Sequence, residues 1–189
     1  DGTNFPEWEF TKLNKFLSLP VDDDCKEPDP SRLLTVKLHR KGIVNAVISS
    51  SNKLAANYKY RRKGQFIFGK QNLFNGAVGI VPEEFDGFIS STDIPTLDIN
   101  QKSILPDYLD LFFGRENFYK SLEKYAMGSG SKRIHQNTIL NLEINLPSLE
   151  EQHAISKMVN SLELNTSLLQ RKIKEVQNLK QGLLQQMFV

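Results

Sequence analysis

A single cysteine, Cys25, stands among 189 residues, which excludes an internal disulfide framework and a cysteine-rich zinc site. Histidine is nearly as scarce. His39, His135 and His153 fall in separate segments, so neither a metal centre nor a bound cofactor is expected. No apolar run approaches the ~20 residues that span a bilayer, and no signal-peptide pattern opens the chain. With neither export signal nor disulfides, the expected compartment is the cytoplasm, without membrane contact. The chain begins at Asp1 rather than Met, as a fragment or processed protein would. The most informative absence is charge of one sign. From Pro30 to Pro82 there is no Asp or Glu.

That window holds ten cations: Arg32, Lys37, Arg40, Lys41, Lys53, Lys59, Arg61, Arg62, Lys63 and Lys70. The whole chain has 24 basic and 22 acidic residues, so everything outside the window is acidic on balance. Cations gathered in one block make a local field suited to a polyanion. The 12 Phe and 5 Tyr, in turn, exclude a disordered chain.

Phe5, Pro6, Trp8 and Phe10 form an aromatic cluster expected to pack on the domain, and Asp22, Asp23 and Asp24 read as a solvated loop. Between Leu33 and Ser91 the apolar period is near two. Leu34–Leu38, Ile43–Ile48, Gln65–Phe68, Ala77–Val81 and Phe88–Ser90 read as short strands of a mostly antiparallel unit, punctuated by Gly64, Gly76 and Gly87. Pro106 suits a first helical position, and Tyr108, Leu109, Phe112 and Phe113 make a helical face up to Gly114. A second helical run through Phe118, Leu122 and Tyr125 stops at Gly128-Ser129-Gly130-Ser131. Leu140–Leu146 alternates as a half-buried strand.

Ser148 and Glu151 form a capping box ahead of a run without proline. Ile155, Leu162, Leu169, Val176 and Leu183 occupy heptad d positions, with Val159, Thr166, Ile173, Lys180 and Met187 at a. Some 39 residues at 1.5 Å each give a rod of about 58 Å. Its apolar stripe, carried by Ile155, Val159, Leu162, Leu169, Ile173, Val176 and Leu183, needs a second helix. The expected class is α+β: a β-rich domain followed by one long C-terminal coiled-coil helix.

No catalytic constellation accompanies these elements. Gly69-Lys70-Gln71-Asn72 lacks the hydroxyl and helix of a phosphate loop, and no nucleophile elbow occurs. A non-catalytic binding module follows. Lys70, Gln71 and Asn72 combine side chains able to contact base edges. Arg61, Arg62, Lys132 and Arg133 suit phosphates, and Arg40, Lys53 and Ser129 complete the candidate DNA-binding set.

Two stretches carry a specific resemblance. One runs from Tyr58-Lys-Tyr-Arg-Arg-Lys-Gly-Gln-Phe-Ile-Phe-Gly-Lys-Gln-Asn-Leu through Gly76-Ala-Val-Gly-Ile-Val to Asp86-Gly-Phe-Ile-Ser-Ser-Thr-Asp-Ile-Pro. The other comprises Gly128-Ser-Gly-Ser-Lys-Arg, Leu146-Pro-Ser-Leu-Glu-Glu-Gln-His-Ala-Ile and Leu179-Lys-Gln-Gly-Leu-Leu-Gln-Gln-Met-Phe. The chain resembles one half of a type I restriction-modification specificity subunit (the HsdS family). The resemblance implies a target recognition domain over 1–147 that reads half of a split sequence in double-stranded DNA. It implies a long helix over 148–189 that sets spacing and docks methyltransferase subunits, and through them the restriction subunit. Methylation and cleavage would belong to those partners. A full subunit of the family has two recognition domains and two helices; this chain has one of each, so the expectation is a homodimer through the helix, or else a piece of a longer two-domain chain whose second half supplies the partner helix. The alternative is a non-catalytic coiled-coil scaffold or adaptor whose basic block is incidental.

Overall fold

Short β-branched and aromatic runs, each cut by a turn residue, cannot build long strands, and the fold is assembled from short ones. The computed structural model describes residues 6–21, 23–46 and 57–187. Eleven strands occur among them: β1 (Glu9–Lys12), β2 (Leu17–Ser18), β3 (Asp24–Cys25), β4 (Leu34–Val36), β5 (Ile43–Asn45), β6 (Tyr58–Tyr60), β7 (Phe66–Phe68), β8 (Val78–Ile80), β9 (Ile89–Ser91), β10 (Thr96–Ile99) and β11 (Glu143–Leu146). The helices are α1 (Pro106–Gly114), α2 (Glu116–Ser121), α3 (Gln136–Leu140) and α4 (Leu149–Met187). The architecture is thus a β-rich region followed by one long helix. The chain divides into two compact units, Asp1–Gln152 and His153–Val189.

All strand pairs are antiparallel. A four-stranded sheet has the order β2-β10-β7-β8, a three-stranded sheet the order β3-β6-β9, and β4-β5 and β1-β11 form two-stranded ribbons. Phe66, Ile67 and Phe68 of β7 are fully buried and anchor the core with Leu97, Ile104, Leu109 and Phe113. The rings of Phe66 and Phe113 lie 4.7 Å apart, so α1 closes over the sheet through aromatic packing. The helical face read between Tyr108 and Phe113 is therefore core.

The five strands expected between Leu33 and Ser91 all form, four of them shorter than their sequence patterns and the last, Ile89–Ser91, shifted by one residue. Val47 and Ile48 lie outside the described residues. Trp8 and Phe10 do not pack inward: they are 47% and 65% exposed, because β1 pairs edge-on with β11 and buries Thr11 instead. Alternation from Leu140 overran the strand as well. Leu140 ends α3, whose last turn is closed by Asn141 Nδ2 donating to Asn137 O at 2.8 Å. Of the capping box one half forms, with Glu151 N donating to Ser148 Oγ at 3.3 Å, while the Glu151 carboxylate accepts from Trp8 Nε1 at 3.0 Å. Gln152 then ties the first turn of α4 into the first unit. Its Oε1 accepts from Leu105 N at 2.9 Å and its Nε2 donates to Pro147 O at 2.9 Å.

The largest correction concerns Arg61, expected on phosphates. It is 2% exposed and holds the sheets together. Nε donates to Ser90 Oγ of β9 at 2.7 Å, and Nη1 reaches Thr96 Oγ1 of β10 at 3.3 Å and Asp23 Oδ2 at 3.2 Å. Burial pushes the guanidinium down to about 10, with Asp23 opposing the shift, so it stays charged at neutral pH. Asp23 also pairs with Lys59 at 2.8 Å, so it is an anchor rather than part of a solvated loop. Removing one partner leaves the other buried and uncompensated. Arg61→Ala is therefore expected to lower unfolding stability by about 3–5 kcal/mol. The exposed neighbour, in Arg62→Ala, should change it by less than about 0.5 kcal/mol. Urea unfolding of the two variants checks the contrast.

Candidate nucleic-acid interface

β7 ends in a turn that begins at Gly69 and runs through Lys70, Gln71 and Asn72 into a 3₁₀ segment, Leu73–Asn75. Its backbone is tied on both sides. Lys70 N donates to Asp93 O at 2.9 Å in the β9–β10 connection, and Ile134 N donates to Lys70 O at 2.9 Å. Ile134 follows a tight loop closed by paired bonds between Met127 and Arg133, at 2.9 and 2.8 Å. Within it Gly128 has φ +123°, and a Cβ there would sit 2.7 Å from Ser131 O, so only glycine permits the turn. Arg133 Nε completes the junction 3.4 Å from Asp93 Oδ1. Two segments read separately in the sequence, Lys70–Asn72 and Gly128–Arg133, are thus neighbours.

Side chains around this junction define a shallow concavity of about 230 Å³ lined by Gln71, Asn72, Thr35, Val36, Ser91, Asp93 and Ile94, among others. Gln71 is half-buried there and makes no side-chain hydrogen bond among the described residues. Asn72 is engaged locally, because its Oδ1 accepts from Asn75 Nδ2 at 3.2 Å. Ser129 and Lys132 are exposed on the neighbouring loop, where Lys132 pairs with Glu123 at 2.8 Å. Such an exposed pair contributes little and exchanges readily for a phosphate.

Other candidates lie elsewhere. Arg62 is exposed on the turn before β7, at the end of that strand remote from Lys70. Arg61 is the buried tie described above. Lys53 lies outside the described residues. Arg40 was expected on DNA, but its guanidinium is engaged by Asp110 through both nitrogens and donates to Val78 O at 2.8 Å. Arg40 is therefore a bracket between the β4–β5 turn and α1. In that turn His39 and Arg40 have φ +55° and +58°, a left-handed pair that costs on the order of 1–2 kcal/mol per residue.

Sequence reasoning missed Thr35, Ser91, Asp93 and Asp110. Nothing in their local spacing distinguishes them; strand pairing and chain reversal bring them in. Among the described residues no group of three or more His, Cys, Asp or Glu could hold a metal ion. None of the helices among them is long and apolar enough to cross a membrane.

In α4 the heptad stripe lies open. Leu162, Leu169, Ile173, Val176 and Leu183 are between 52% and 65% exposed, while Ile155 and Val159 are half-buried.

The chain is similar to known proteins over nearly its whole length. It is 24% identical over 207 residues to the type I restriction enzyme MjaVIII specificity subunit of Methanocaldococcus jannaschii, covering 99% of this chain and 43% of that one. It shares the fold of the HsdS subunit from Thermoanaerobacter tengcongensis, with TM-score 0.69, 22% identity, and coverage of 92% and 46%. A chain from a structure of complex assembly and conformational transition in a type I R-M system matches with TM-score 0.63 at 22% identity, covering 93% and 47%. The chain spans somewhat less than half the length of these relatives. Residues 34–178, which include the β4–β5 ribbon, the Lys70 turn and most of α4, match the type I restriction modification DNA specificity domain, and the chain belongs to that family.

Proposed function

We propose that the chain is a DNA-reading half of a type I specificity subunit. The observation that carries this reading is a junction of three segments: backbone bonds tie the Lys70–Asn72 turn to the β9–β10 connection and to Ile134 after the Gly128–Arg133 loop, and Gln71 and Asn72 line the adjoining concavity. Duplex DNA presents regularly spaced phosphates and base edges in grooves, which is what such a junction of cations and a free carboxamide suits. Lys70 and Gln71 are the base-reading candidates. Lys132, Arg133 and the loop amides near Ser129 are assigned to phosphates.

The recognition domain covers 1–147 and the helix 148–189. Two copies pair through the stripe of α4, antiparallel, and hold two recognition domains apart. The same assembly docks methyltransferase subunits, and through them a restriction subunit, in the cytoplasm. Chemistry belongs to those partners. The scaffold alternative keeps the helix but gives the basic block no role; nothing in the Lys70 junction favours it.

Three outcomes test this reading. Gln71→Ala should relax discrimination at one base pair by about 1–3 kcal/mol while leaving affinity for unrelated duplexes unchanged. Selection from a randomised duplex library with the wild type and the variant measures it, and equal loss on every sequence would remove the base-reading role. The purified chain, incubated with labelled S-adenosylmethionine and duplex DNA, should transfer no methyl group; turnover that co-purifies with it would overturn the non-catalytic assignment. Burial of each large aliphatic side chain stabilises by about 1.5–3 kcal/mol. Light scattering at micromolar concentration should therefore give a dimer for the wild type and a monomer for Leu169→Asp.

A further inference from the structure

The ten cations between Pro30 and Pro82 are neutralised unevenly. Carboxylates from outside the window reach Arg40 (Asp110), Lys59 (Asp23 and Asp24), Arg61 (Asp23) and Lys63 (Glu83). Arg32 lies over the Phe88 ring, 5.2 Å from its centroid. Lys37, Lys41, Arg62 and Lys70 are left with neither a carboxylate nor a ring partner among the described residues. Two of these four, Lys37 and Lys41, flank the tip of the β4–β5 ribbon, and both are exposed.

That tip is held rather than loose. His39 and Arg40 are consecutive left-handed residues without glycine's freedom, and Gly42 follows at φ +89°. His39 N donates to Asn75 O at 2.8 Å and Arg40 N to Gly76 O at 3.0 Å. A Cβ on Gly76 would lie 3.3 Å from Arg40 N and 3.2 Å from the Tyr119 ring, so the approach is as close as a bare backbone permits. Arg40 then bonds Asp110 and Val78 O. Asn75 and Gly76 end the same turn that Lys70 and Gln71 begin, and Thr35 and Val36 of this ribbon line the concavity beside Gln71. Tip and reading turn are one body.

We propose that the β4–β5 tip is a second DNA-contacting element. In it Lys37 and Lys41 neutralise phosphates beside those approached from the Lys70 turn. Arg40, bracketed by Asp110, is a positioning residue rather than a contact. This rests on the DNA-reading assignment above and adds to it the surface that extends the footprint. An uncommon backbone conformation, tethered at three points, presents two cations in a fixed place and lowers the ordering cost of binding.

Anisotropy titration of a fluorescein-labelled 30-base-pair duplex with the full chain, over a range of salt, tests the element. Each phosphate contact adds about 0.9 to the slope of log affinity against log salt. The double variant Lys37→Ala with Lys41→Ala should therefore flatten the slope by about 1.8. A control with the same charge change, Lys12→Ala with Lys102→Ala, should leave it unaltered. A steep wild-type slope that survives loss of Lys37 and Lys41 overturns the second element and leaves the DNA-reading assignment standing; a flat wild-type slope removes both. Asp110→Asn tests the bracket. Loss of a negative charge alone strengthens DNA binding, whereas release of the tip should weaken it by about five-fold. With Lys37 and Lys41 already replaced, Asp110→Asn should cost nothing further. Equal or tighter binding by Asp110→Asn, or a full additional loss in the triple variant, overturns the positioning role.

Discussion

The buried guanidinium of Arg61 is the constraint on which the recognition unit depends. It bonds Ser90 in β9, Thr96 in β10 and Asp23 ahead of β3, and so joins the three-stranded sheet to the four-stranded one. The β9–β10 connection between its anchors supplies Asp93, whose carbonyl holds Lys70 N and whose carboxylate faces Arg133. A polar group in a dry core is tolerated only when its partners are in place, so this network admits few alternative sheet arrangements. The position of the Lys70–Asn72 turn is thereby inherited from an interaction buried away from the surface.

Charge is redistributed by the same logic. A block of ten cations in sequence becomes four neutralised ones, with Arg32, Lys37, Lys41, Arg62 and Lys70 left carrying the field among the described residues. Carboxylates enter from Asp23, Glu83 and Asp110, residues outside the window. Where the surplus remains is decided by which turns face away from those carboxylates. A local excess of one sign raises encounter with a polyanion; on the proposed reading, the concavity and its polar side chains supply the discrimination.

Much of the fold was legible because it follows from local patterns. Period two over Leu34–Val36 and Phe66–Phe68, the capping box at Ser148 and the heptads of α4 are each properties of neighbouring residues. Residue type alone misassigned Arg61 and did not show the partner that engages Arg40. An arginine in a basic run looks solvent-facing until a carboxylate distant in sequence folds against it, and Asp23 and Asp110 lie 38 and 70 positions away. Trp8 and Phe10 erred in the opposite sense, because an edge ribbon has one outward face whatever occupies it. The junction of Lys70 with Arg133 was legible only as two fragments, since a backbone bond from Ile134 to Lys70 joins them and no sequence pattern marks it.

The helix supplies the last step. Single exposed aliphatics are ordinary on a protein surface, but Leu162, Leu169, Val176 and Leu183 recur every seven residues, all more than half exposed. Thr166, at an a position of this stripe, would bring a hydroxyl into a seam. It is already satisfied, donating to Leu162 O at 2.8 Å within its own helix, so burying it leaves no unpaired group. Lys180 can carry its ammonium outward along its aliphatic stem. The stripe is therefore compatible with a partner helix along its length. On the proposed pairing, a two-fold axis duplicates every residue of the reading surface, so both halves of the DNA site must carry the same sequence.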